Sequence, residues 1–116
     1  MKKSEFLEWK LRILESLGGD EDLLRELCML FEKHIDPELS QLRSSISKGD
    51  HHAMGIHAHK IKGMLSNFDH PEISKKIREL EDGIQAEEDI RELSMEFETD
   101  LQSFRNRLSV LRAKAS

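Results

Sequence analysis

The segment Gly55-Ile56-His57-Ala58-His59-Lys60-Ile61-Lys62-Gly63-Met64-Leu65-Ser66 holds the residues best suited to chemistry. Met54, Ala58, Ile61, Leu65 and Phe68 recur at helical spacing, which predicts a helix over about 51–68 with that stripe facing inward. Set against the stripe, His59 lies roughly 140° round the helix, so its imidazole faces solvent. Gly55 stands one turn before it and Gly63 one turn after, both on the outward side. Lys62 follows at i+3 and Ser66 lies two turns on. Each glycine inside a helix costs about 1 kcal/mol relative to alanine, and the loss of two Cβ atoms beside an exposed ring clears an approach to it. Ile56, also outward, offers an apolar contact to whatever approaches.

A neutral imidazole is nucleophilic near physiological pH. Phosphoryl transfer asks for a nucleophile reached in line, positive charge for the equatorial oxygens, and little else from the protein. His59 supplies the first and Lys62 the second. The phosphoramidate formed can be handed on again, which suits a carrier. Plainer readings stand beside this one: a surface histidine in a His-rich helix, a solvated face at Lys60 and Lys62, and Gly55 packed against a neighbouring helix. His34, His51, His52, His57 and His70 read as structural or surface residues, and Met54 and Met64 as core filler.

The elements that must position His59 are punctuated by Gly18-Gly19-Asp20, Lys48-Gly49-Asp50, Asp69-His70-Pro71 and the polar stretch from Gly83 to Asp89. These breaks predict five helical segments. The first, about 5–17, carries Leu7, Leu11 and Leu14 on one face with Phe6 and Trp9 nearby, and reads as a lid. The second follows a cap at Asp20 and carries Leu24, Cys28, Phe31, Ile35, Leu39, Leu42 and Ile46 as one stripe. Pro37 falls opposite that stripe, so a kinked long helix is expected rather than two helices. Leu23, Leu27 and Leu30 widen the stripe near its start, where the first helix would cover it. A fourth helix is expected to open with Asp69 as cap, Pro71 in the first turn and Glu72 at capping-box distance, then run through Ile73, Ile77, Leu80 and Ile84. Ile90, Leu93, Phe97, Leu101, Phe104, Leu108 and Leu111 mark a fifth. Long stripes joined by short connections predict an all-α fold, an antiparallel up-down four-helix bundle with a short additional N-terminal helix.

The chain is long enough for one core, so a single domain over 1–116 is expected. A net charge of −5 with no long Lys/Arg run argues against nucleic acid. The single Cys28 excludes an intramolecular disulfide, and Met-Lys-Lys-Ser-Glu leads into no signal-peptide apolar region, so a reducing, cytoplasmic setting is expected. Charges interrupt every apolar stretch well short of the roughly 20 residues of a membrane span. Metal binding is disfavoured by spacing: no histidine has an acid three residues before it, and no two histidines stand four apart.

Ala58-His59-Lys60-Ile61-Lys62-Gly63 resembles the signature of the histidine-containing phosphotransfer (HPt) family, His-x-x-Lys-Gly in the middle of a bundle helix. Leu17-Gly18-Gly19-Asp20 followed by Leu23 to Phe31 is similar to the family's second-helix entry, Lys48-Gly49-Asp50 to its turn, and Arg78-Glu79-Leu80-Glu81 to its following helix. The resemblance spans nearly the whole chain. It implies that His59 accepts a phosphoryl group from a receiver-domain aspartate and passes it to another receiver, that Lys62 helps bind the phosphoryl oxygens, and that Gly63 gives access. Lys60 matches a further basic position found in some members. The family further implies a monomeric phosphocarrier rather than an enzyme, without a cofactor of its own. Mg²⁺ would come from the response-regulator receiver, and a hybrid sensor histidine kinase is a possible parent.

The chain departs from the family pattern after the Lys-Gly pair, where small residues and then Gly-Ala are usual. Met64-Leu65 and Asp69-His70 stand there instead. A Gln commonly faces the histidine from the next helix, and Glu81 occupies the comparable region, where a carboxylate either orients the imidazole or repels phosphate. Two alternatives stay open: an adaptor bundle without phosphotransfer, and the phosphoacceptor domain of a chemotaxis-type kinase. No Gly-rich nucleotide loop is present, so the chain cannot phosphorylate itself from ATP.

Overall fold

The computed structural model describes residues 2–115; positions 1 and 116 of the expected domain lie outside the described residues. Among these residues there are five helices and no strand: α1 Lys3–Ser16, α2 Glu21–Ser47, α3 His51–Ser66, α4 Pro71–Gln85 and α5 Arg91–Ala115. α2 packs against α3 and α5, and α4 packs against the same two, so the four enclose one apolar core. α1 leans mainly on α2.

Periodicity explains the core directly. Leu24, Cys28, Phe31, Ile35, Leu39 and Leu42 of α2 are buried, as are Met54, Ala58, Ile61 and Leu65 of α3 and the Ile73, Ile77, Leu80, Ile84 stripe of α4. Phe97, Leu101, Phe104, Leu108 and Leu111 close the core from α5. α2 is one continuous helix, with Pro37 on its exposed side where a carbonyl without a helical partner can meet water. Burial holds the Cys28 thiol up at about 11, so it acts as a small apolar side chain.

Caps fix where the helices start. Asp20 accepts from the Leu23 amide at 3.0 Å and Asp50 from the Ala53 amide at 3.1 Å. The turn before α3 needs φ +66° at Gly49, a left-handed geometry cheap only without a Cβ. Charged pairs run between neighbouring helices on the surface. Arg105 of α5 forks onto Glu32 and Asp36 of α2, and Arg43 of α2 reaches Glu98 of α5.

Three expectations are corrected. α1 does not bury Leu7, Leu11 and Leu14 as its main face: Trp9 and Ile13 are its buried residues, while Leu7 and Leu11 are exposed. The indole decides it, because Trp9 offers the largest apolar area on the helix and its Nε1–H has a buried carbonyl to meet, that of Phe68. With α1 turned this way it leaves Leu23 and Leu30 exposed and only Leu27 partly covered. The α4 cap is His70, not Asp69, and among the described residues no side-chain hydrogen bond caps the helix, so the expected box with Glu72 does not form. Pro71 at the first helical position forces the residue before it into extended backbone, here φ −93° and ψ 116° at His70. Asp69 then takes up the reversal at φ +43°.

Candidate functional site

α3 brings its chemistry to one outward face because its inward face is fully committed. Ala58 and Ile61 are buried on either side of His59 in sequence, and the imidazole itself is 78% exposed. Lys62 projects beside the ring from the flank of α3 that meets α4. Glu81 rises from α4 beneath both: its Oε2 lies 3.8 Å from His59 Nδ1 and its Oε1 3.7 Å from Lys62 Nζ. These are ion-pair distances, too long for hydrogen bonds, and Glu81 Oε1 is buried without a hydrogen-bond partner among the described residues. The carboxylate is thus held under the histidine–lysine pair with unspent acceptor capacity.

That placement distinguishes the two ring nitrogens. A carboxylate on the Nδ1 side favours the tautomer with the proton on Nδ1, and in that tautomer the lone pair is on Nε2. The same carboxylate compensates positive charge that appears on the ring when Nε2 forms a bond.

The glycines clear this face to different degrees. A Cβ added at Gly63 would meet no neighbouring atom within 4 Å among the described residues, so no packing contact there requires glycine. At Gly55 an added Cβ would meet Ile84 Cγ2 at 3.9 Å, an ordinary packing contact with α4. Gly55, Ile56, His59, Glu81 and Ile84 line an open groove of about 710 Å³ between α3 and α4. Ile56 is exposed on its rim. Ser66 does not join the group, because its hydroxyl donates to the Gly63 carbonyl at 2.7 Å and is held on its own helix.

Lys60 points the other way. Its Nζ lies 3.8 Å from Glu38 Oε1 on α2, and the other Glu38 oxygen is 3.0 Å from His57 Nδ1. Glu38 and His57 were not among the sequence candidates, although they tether α3 to α2 much as Glu81 holds the α4 side. The only hint in the sequence was a carboxylate off the α2 stripe; the register that sets it against His57 lies between helices. Lys62 and Lys60 therefore flank His59 as cations steadied by opposite neighbours. Among the described residues no group of three or more His, Cys, Asp or Glu side chains is arranged to hold a metal ion.

A family model for the Hpt domain matches residues 24–113, the whole of α3 and α4 and nearly all of α2 and α5. The chain belongs to the Hpt domain family. Hpt domains are helical phosphocarrier modules of two-component phosphorelays, where histidine phosphotransfer links them to receiver domains. No curated protein and no solved structure gives a significant match. No helix among the described residues is long and apolar enough to cross a membrane.

Proposed function

We propose that this Hpt domain is a phosphorelay intermediate that takes a phosphoryl group onto His59 from a receiver-domain phosphoaspartate and passes it to a second receiver. The Nε2 lone pair attacks phosphorus in line, the bond from phosphorus to the acyl oxygen breaks, and the electron pair leaves with the receiver's carboxylate. The proton stays on Nδ1, facing Glu81, and the positive ring that results is offset by that carboxylate. Lys62 turns from Glu81 toward the equatorial oxygens and balances their charge. Return of the phosphoryl group to a fresh aspartate reverses each step.

The observation that carries this reading is the His59 ring, 78% exposed, with Nδ1 3.8 Å from Glu81. Gly63 supports it, since a helix-weakening residue without an internal packing reason fits a close-approaching partner. In the same reading the chain acts as a monomeric, single-domain up-down antiparallel bundle in the cytoplasm. The receiver docks over α2 and α3 with Ile56 and Lys60 at the contact, and Mg²⁺ belongs to the receiver. The test is a two-receiver relay. A labelled phosphoreceiver, this chain and a second receiver are mixed, and label is expected to appear on the chain in acid-labile form and then on the second receiver. An adaptor would bind receivers without acquiring label, and that outcome would refute the proposal.

A further inference from the structure

α1 lies outside the family match, which begins at Leu24, and it is fastened at the corner where α3 passes into α4. Trp9 Nε1 donates to the Phe68 carbonyl at 2.5 Å, and Arg12 lies 4.0 Å from Asp69. Against the indole stands His70, edge-to-face with ring centroids 4.9 Å apart; Phe104 of α5 packs on the same ring at 5.5 Å. His70 is 1% exposed, and neither ring nitrogen has a hydrogen-bond partner among the described residues.

We propose that His70 makes α1 an acid-released latch: protonation of its buried ring undocks Trp9 and α1 from the α3–α4 corner, while α2 to α5 stay packed. An imidazolium brings two N–H donors and a unit charge into a pocket where neither nitrogen has a hydrogen-bond partner among the described residues. Arg12 on α1 and Arg107 on α5 add to the cost, and Glu72 on α4 opposes it. Desolvation is the largest influence and Arg107 the next, and together they hold the ring's pKa below its ordinary value.

In the undocked state the ring titrates near its ordinary value of about 6.5. Below that pH the undocked form takes up a proton that the docked form refuses. Docking is therefore undiminished above about 6.5, weakens through the window beneath, and weakens no further once the lowered docked pKa is passed. α1 is the element to leave because it fully buries only Trp9 and Ile13, against four or more residues on each of α2, α3 and α4.

Trp9 is the single tryptophan and the chain has no tyrosine, so indole emission reports on α1 directly. As pH falls from about 7.5 to about 5, a red shift and a several-fold rise in acrylamide quenching are expected. Far-UV circular dichroism should lose no more than the 14 residues of α1. His70→Phe and His70→Leu remove the titration and keep the pocket filled, and in whichever folds the emission should stay constant over that range. Should neither fold, nuclear magnetic resonance on the parent chain is expected to give one midpoint for the His70 ring and the Trp9 indole. The proposal is overturned by parent emission that does not change, by a transition that persists in a folded His70 variant, by loss of all helicity together with the emission, or by separate midpoints.

Discussion

Two histidines eleven positions apart in the sequence, His59 and His70, meet opposite surroundings. The side chain of His59 is 78% exposed and has Glu81 on one nitrogen, so it can change its bonding without disturbing the core. His70 is 1% exposed, walled by Trp9 and Phe104, and without a hydrogen-bond partner at either nitrogen among the described residues, so any change in its protonation is felt by the packing. In the proposed reading one ring reacts and the other holds. The difference comes from helix geometry: mid-helix at the outward angle in one case, and at a cap forced inward by Pro71 in the other.

The largest effect that separates the two regions is expected from His59→Gln, which should remove all phosphoryl labelling and leave thermal unfolding unchanged to within about 0.5 kcal/mol, as for an exposed substitution. Trp9→Ala attacks the other region. A buried aromatic in a full core would cost about 3 to 5 kcal/mol, but here the loss is capped by the docking of α1, about 2 kcal/mol, so the urea midpoint should fall slightly and the rate of transfer to His59 stay within about twofold. A comparable loss of transfer would mean that α1 helps build the reacting face and that the two regions are not separable.

How much of this was legible in the sequence depended on which face of each helix was crowded. α2 to α5 each carry one continuous apolar stripe, with exposed apolar residues such as Leu30, Ile56 and Val110 off it, and those stripes marked the observed core. α1 carries apolar residues on both sides, and counting leucines favoured the wrong one. One indole with a carbonyl partner outweighed Leu7 and Leu11. The outward angle of His59 followed from a single helix and could be read. The Glu38–His57 contact and the 3.8 Å approach of Glu81 depend on how helices slide against each other, which no single segment encodes. The cap at His70 was one residue out because Pro71 constrains its predecessor more strongly than Asp69 favours a cap.

Smaller effects sharpen the reacting side. Lys62→Ala should slow transfer by about tenfold, less than for a buried donor because solvent screens an exposed site, with folding preserved. A stopped-flow or quench-flow time course of label transfer, beside a melting curve, checks both parts. Gly63→Ala is expected to move two readouts in opposite directions. It should stabilise the helix by about 0.5 to 1 kcal/mol, since the new methyl meets nothing. It should also slow transfer a few-fold by crowding the partner's approach, and equal or faster transfer would remove access as the reason for glycine there.

The most direct measurement is the position of the phosphoryl group on the ring, read by ³¹P and ¹⁵N magnetic resonance after the chain has been mixed with a phosphorylated receiver. A single phosphoramidate on Nε2 of His59, with Nδ1 still protonated, is the predicted result. Phosphate on Nδ1, on any other histidine, or on no residue of the chain would contradict it.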